Sequence, residues 1–178
     1  MARIPLAVLR RLPSIRALVL DVDGVLTDGR LSFGPPDELK SFHVRDGHGL
    51  ALLLRSGFPV GIISGRSGAA AKRRLADLGI RDFFLGIRDK SSALDSLLDR
   101  WNLKEKQVAA MGDDVTDLVL LERAGLSIAV SDAHPSVTRK VDWITGAPGG
   151  YGAVRQVADA LLFVLKRSGK VPGEDPLC

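Results

Sequence analysis

Short apolar runs alternate with amphipathic stretches along most of this chain, and that alternation restricts its possible folds more than any other feature. Ala17–Leu20, Val60–Ile63, Phe83–Leu85, Val108–Met111, Ser127–Val130 and Trp143–Thr145 have the length and composition of strands. Between them the spacing predicts helices over Gly49–Leu54, Ala71–Leu78, Ser91–Trp101 and Val115–Ala124. The clearest helix comes last, with Val154, Val157, Ala158, Leu161, Leu162 and Leu165 at i, i+3, i+4, i+7 spacing. Strands joined through helices lie parallel, in a sheet covered on both faces. The expected fold class is α/β, a Rossmann-like parallel sheet with helices on both faces. With 178 residues, 46% of them hydrophobic, the chain is long enough for one domain with a real core.

One stretch breaks the alternation. Arg30–Phe33 and Leu39–Val44 read as two strands around the turn Gly34-Pro-Pro-Asp-Glu, a β-hairpin. It leaves directly from the end of the first strand, so residues 30–44 are expected to overhang the carboxyl ends of the sheet as a flap. No separate cap domain is expected. Residues 1–14 read as an N-terminal extension, 15–168 as the domain, and 169–178, with Pro172, Gly173 and Pro176, as a flexible tail.

Composition narrows the partners. The net charge is +4, with arginines gathered at Arg10, Arg11 and Arg16 and from Arg66 to Arg74. Only 5% of the residues are aromatic and no RNA-binding signature is present, so no nucleic-acid partner is expected. An anionic small substrate accounts for the local positive charge. No segment reaches membrane-span length and the N-terminus lacks a signal peptide's apolar core, so no membrane partner is expected. The single cysteine, Cys178, allows no disulfide framework and points to a reducing, cytoplasmic setting.

The first strand ends in two carboxylates, Asp21 and Asp23, followed by Gly24. Like charges ~5 Å apart repel by roughly 3 kcal/mol even at an effective dielectric of about 20, so such a pair calls for a cation or a proton relay. An Asp-rich turn capping the next element is the plainer alternative, and these residues alone leave both open. The other strand ends decide. Ligands gather outside the carboxyl ends of an open parallel sheet. There, Val60–Ile63 runs into Ser64-Gly65-Arg66, and Val108–Met111 into Gly112-Asp113-Asp114, with Thr116 and Asp117 a turn later. Lys90 stands at the start of the Ser91–Trp101 helix, with Asp89 as its cap. An EF-hand is excluded, because a strand precedes the acids and the later loop ligands are missing.

This set of groups suits phosphoryl chemistry. Asp21, Asp113 and a backbone carbonyl are hard oxygen ligands of the kind Mg²⁺ takes. Ser64 and its neighbouring N–H groups can hold phosphate oxygens, and Lys90 adds a point charge. An aspartate can attack phosphorus to give an aspartyl-phosphate. A second acid two residues later can protonate the leaving oxygen and then activate water.

Taken in order, Asp21-Val-Asp-Gly-Val-Leu-Thr-Asp28, Ser64-Gly-Arg66, Lys90 and Gly112-Asp-Asp-Val-Thr-Asp117 resemble the motifs of the haloacid dehalogenase-like phosphatases. The closer resemblance is to the 3-deoxy-D-manno-octulosonate 8-phosphate phosphatases. It includes Phe42-His-Val-Arg-Asp-Gly47, Val130-Ser-Asp-Ala-His-Pro135 and Gly149-Gly-Tyr-Gly-Ala-Val-Arg155, and spans roughly Ile15 to Val164. The resemblance implies Asp21 as nucleophile and metal ligand, and Asp23 as acid and base, with its main-chain carbonyl on Mg²⁺. It implies Asp113 as the third protein ligand, Asp114 and Asp117 as the residues that order its waters and Lys90, and Ser64 and Lys90 as the phosphoryl clamp. His43, Val44, Arg45, Asp46, Gly47, Arg66 and Arg74 would face a sugar acid, with Asp23 and Lys90 at its phosphate end. It also implies a homotetramer in lipopolysaccharide biosynthesis, with the hairpin at subunit contacts and Gly149–Arg155 near a neighbour's site.

Two positions depart from the family pattern. Ala51 replaces a frequent basic residue and Tyr151 a common arginine, and both changes remove charge that would meet a substrate carboxylate. A nine-carbon keto-deoxy sugar 9-phosphate therefore stands beside the eight-carbon substrate. A receiver-like or non-catalytic module is the other alternative. It is disfavoured by Asp23, which would hasten loss of an aspartyl-phosphate, and by the presence together of Asp21, Asp23, Lys90 and Asp113.

Overall fold

The computed structural model describes residues 4–34, 38–167 and 169. In chain order its strands are Ala17–Leu20 (β1), Ser32–Phe33 (β2), Glu38–Leu39 (β3), Val60–Ser64 (β4), Asp82–Leu85 (β5), Val108–Gly112 (β6), Leu126–Ala129 (β7) and Trp143–Ile144 (β8). The helices are Leu6–Arg11 (α1), Val44–Arg55 (α2), Ala69–Leu78 (α3), Lys90–Trp101 (α4), Leu118–Arg123 (α5), Pro135–Thr138 (α6) and Ala153–Arg167 (α7). Six strands form one sheet in the order β5-β4-β1-β6-β7-β8, every pair parallel. The α/β fold is the one expected.

The order explains where a site must lie. β1 is hydrogen-bonded on one side to β4 (Leu18 beside Val60) and on the other to β6 (Leu18 beside Ala109). The chain winds outward from β1 in both directions, which opens a crevice beyond its carboxyl end. β1 is apolar at every position because both faces are covered, and Leu18, Val19 and Leu20 are fully buried.

The hairpin exists but is shorter than expected. Ser32 pairs with Leu39 and Phe33 with Glu38 in antiparallel register, and the turn at 35–37 lies outside the described residues. The second strand does not reach Val44, because the helix starts there. His43 is in extended conformation and its ring accepts the Arg45 N–H at 3.2 Å, capping α2. Gly47 and Gly49 lower helix propensity and conceal this first turn in the sequence. They are small for packing reasons: a Cβ on Gly49 would lie 2.9 Å from the Ala158 side chain of α7.

Other boundaries moved for local reasons. The helix expected over Val115–Ala124 splits into a 3-10 turn at Val115–Asp117 and then α5, the turn being capped by the Asp114 carboxylate. Residues 4–14, read as an extension, contain α1 and a second 3-10 turn whose Val8 and Leu12 are buried in the common core. The expected flexible tail lies outside the described residues apart from Gly169. Among the described residues no helix is long and apolar enough to cross a membrane.

Candidate active site

The ends of β1, β4 and β6 and the start of α4 meet around a cavity of about 530 Å³. Asp21, Asp23, Ser64, Arg66, Lys90, Asp113 and Asp114 line it, together with Gly29, Arg88 and Thr116. The residues expected to act on phosphate are thus together, though they come from sequence positions more than 90 apart.

Lys90 is the hub. Its buried ammonium donates to Asp21 Oδ1 at 2.8 Å and to Asp117 Oδ1 at 2.5 Å. Asp89 caps α4 by accepting the N–H groups of Ser91 (3.0 Å) and Ser92 (3.2 Å), and this fixes the helix end that carries Lys90. Burial opposes the lysine's charge, but Asp21 and Asp117 outweigh it and hold its pKa above the ordinary value. The second oxygen of Asp117 accepts the N–H groups of Asp113 (3.0 Å) and Asp114 (3.4 Å), so both of its oxygens are engaged.

One oxygen from each of Asp21, Asp113 and Asp117 lies within 4.8 Å of the others. Burial, then repulsion from Asp117, pushes Asp21 up to about 6 despite the opposing pull of Lys90. Burial, then Asp117 and Asp21, pushes Asp113 up to about 8. Crowded buried carboxylates whose ionisation burial and mutual repulsion oppose have the donor chemistry and the excess negative charge that suit a hard divalent cation. Asp21 and Asp113 have oxygens to give to it, whereas Asp117 is committed to Lys90 and to backbone. Gly24 makes the approach possible: with φ +80°, it would place a Cβ 2.0 Å from Asp113 Oδ2.

Asp23 lines the same cavity within a ring of alternating charge. Lys40 of the hairpin pairs with Asp23 and, at 3.0 Å, with Glu38. Arg66 closes the ring, 3.1 Å from Glu38 and 3.7 Å from Asp23. Lys40 and Glu38 thus tie the hairpin to Asp23 and Arg66, two residues that line the cavity. Glu38 and Lys40 were not foreseen. The signal available was the Glu-Leu-Lys alternation, which puts two opposite charges on one face of a strand.

Five expected residues and Arg74 do not come to this cavity. Asp46 is buried and accepts the N–H groups of Gly152 (3.1 Å) and Arg155 (2.7 Å), capping α7. Gly47 packs against Arg74, whose guanidinium would lie 2.0 Å from a Cβ there and sits 5.9 Å from the Phe42 ring centre. His43 caps α2, while Val44 and Arg45 are exposed. Thr116, already placed at the rim by its spacing, lines the cavity; Arg88 lines it too and was missed, lying two residues before Lys90 in a loop whose direction no periodicity reveals.

The comparisons with known proteins agree with this geometry. Residues 85–154 match the family model of the haloacid dehalogenase-like hydrolases. The chain is 41% identical over 168 residues to 3-deoxy-D-manno-octulosonate 8-phosphate phosphatase KdsC of Escherichia coli K12, covering 94% of this chain and 89% of that one. It belongs to the haloacid dehalogenase-like hydrolases, in the 3-deoxy-D-manno-octulosonate 8-phosphate phosphatase family. As a member it is a phosphatase. The Moraxella catarrhalis family structure, solved with magnesium, phosphate and 3-deoxy-D-manno-octulosonate, superposes with a TM-score of 0.85 at 36% identity, covering 89% of this chain and 91% of that one. The cobalt-bound Haemophilus influenzae family structure gives 0.84 at 41% identity, covering 89% and 93%. Neither departure from the family pattern is at the cavity: Ala51 is half-buried on α2, and Tyr151 is exposed in the loop before α7. That loop packs on its own chain, with the Gly150 N–H donating to Val25 O at 3.0 Å.

Proposed function

We propose that this phosphatase hydrolyses the phosphomonoester of a phosphorylated keto-deoxy sugar acid, 3-deoxy-D-manno-octulosonate 8-phosphate, in the cytoplasm. The observation that carries the reading is Asp21 held by Lys90 beside Asp113, with Asp23 lining the same cavity. Asp21 attacks phosphorus while the bond to the sugar oxygen breaks, giving an aspartyl-phosphate. Asp23 gives its proton to that leaving oxygen. It then takes a proton from water, which attacks phosphorus, releases orthophosphate and restores Asp21. Ser64 and Lys90 hold the phosphoryl oxygens, and Arg66 lies at the same end. Asp21, Asp113 and the Asp23 carbonyl would hold Mg²⁺, which when bound offsets the negative charge of carboxylates and phosphate. Asp114 and Asp117 support that set from behind.

The assembly belongs to the same reading. The hairpin exposes Leu31, Phe33 and Leu39, with Phe33 78% accessible, more apolar surface than a lone flap should show. We infer a homotetramer in which this surface is covered. The deciding experiment measures phosphate release, with Mg²⁺, from 3-deoxy-D-manno-octulosonate 8-phosphate, a nine-carbon sugar acid 9-phosphate and an aryl phosphate. Preference for the first is expected. Preference for the nine-carbon ester would move the substrate, and release from none would end the proposal.

A further inference from the structure

Four cationic side chains stand at or beside the cavity, and three have carboxylate partners. Lys90 is shared by Asp21 and Asp117, Lys40 by Asp23 and Glu38, and Arg66 by Glu38 and Asp23. Arg88 lines the same cavity, and among the described residues no carboxylate pairs with it. Its neighbour Asp89 is already committed to the N-terminus of α4.

Arg88 is also well placed. The Ile87 N–H donates to Ser64 O at 3.1 Å, and Asp89 is locked as the α4 cap, so the backbone on both sides of Arg88 is pinned. Its position is therefore fixed relative to Ser64 and to Lys90. The carboxylate-rich end of the cavity, at Asp21, Asp113 and Asp114, is where a cation and a phosphate would balance each other. Among the described residues, the Arg88 guanidinium has no carboxylate to serve. Its planar fork of donors matches a carboxylate in a bidentate pair.

We propose that Arg88 binds a second anionic group of the substrate, a carboxylate remote from the phosphate, and so sets the preference of this cavity for sugar-acid phosphates over neutral sugar phosphates. The proposal rests on the function given above and deepens it by naming a residue that reads the acid. Arg88 is a binding residue here and takes no part in bond making.

The test compares 3-deoxy-D-manno-octulosonate 8-phosphate with D-arabinose 5-phosphate, a terminal sugar phosphate without the carboxylate. Arg88→Gln should lower the ratio of their kcat/KM values about tenfold, with the loss in KM, as expected for one charge-assisted pair. Inhibition by phosphate-free 3-deoxy-D-manno-octulosonate should weaken by a similar factor, while inhibition by orthophosphate holds within about twofold. Arg88→Lys should fall between. An unchanged ratio, or an equal loss on both substrates, would overturn the role of Arg88. A wild-type enzyme that cleaves an aryl phosphate but neither sugar phosphate would instead overturn the substrate reading, and this proposal with it.

Discussion

Lys40 reaches from the hairpin to Asp23, which lies 17 residues earlier, and leaves only 2% of its side chain accessible. This contact ties the flap to the residue proposed as acid and base. Removing one partner of a buried pair leaves the other charge uncompensated. Lys40→Met should therefore free the hairpin and misplace Asp23, lowering kcat/KM by about tenfold while the core stays folded. Amide exchange over residues 38–42, read beside steady-state kinetics, checks it. Wild-type exchange together with wild-type kinetics would show the ring to be idle.

The carboxylate cluster makes stability depend on pH in a definite direction. Asp21 at about 6 and Asp113 at about 8 both lie above the ordinary 3.8. The folded state then keeps protons that the unfolded state has lost, so without a divalent ion stability should fall as pH rises from ~4 to ~8. A bound cation displaces those protons. Mg²⁺ should thus raise the melting temperature more at pH ~8 than at pH ~6, and chelation should abolish phosphate release. Thermal unfolding with and without Mg²⁺ across this range tests it; an equal Mg²⁺ effect at every pH would contradict it.

The two leading acids should separate by leaving group. Asp21→Asn is expected to stop turnover of every substrate. Asp23→Asn should cost roughly 10²–10⁴-fold on a sugar phosphate, whose alkoxide needs a proton, and far less in the first step on an activated aryl phosphate. Single-turnover release of the alcohol isolates that step. Equal losses on both esters would remove Asp23 from proton donation.

Asp46 offers a check on structural against substrate-facing roles. Its two oxygens hold the N–H groups of Gly152 and Arg155. Asp46→Ala should cost about 2 kcal/mol and lower the melting temperature by roughly 5 °C. KM well below that transition should stay near wild type. A raised KM with unchanged melting would return Asp46 to the ligand.

Much of the cavity was legible because strand ends are local events. An apolar run that stops at Asp21, at Ser64 or at Asp113 announces both a buried strand and the polar group at its carboxyl end. The alternation of runs then requires those ends to share one rim. The start of α2 was not legible, because Gly47 and Gly49 look like helix breakers until α3 is seen packed against the first and α7 against the second.

By itself, then, the sequence determined the parallel sheet, the side of it where chemistry occurs, and Asp21, Asp23, Ser64, Lys90 and Asp113 as the groups gathered there. These follow from periodicity and from residues next to a strand end. The tertiary structure alone decided which charges are spent on one another. Asp46 is taken up by a backbone N–H 109 residues away, Lys40 by Asp23, and Asp117 by Lys90, while among the described residues Arg88 is left without a carboxylate partner. Pairing energies depend on distances between segments far apart in the chain, and local pattern carries no information about those distances.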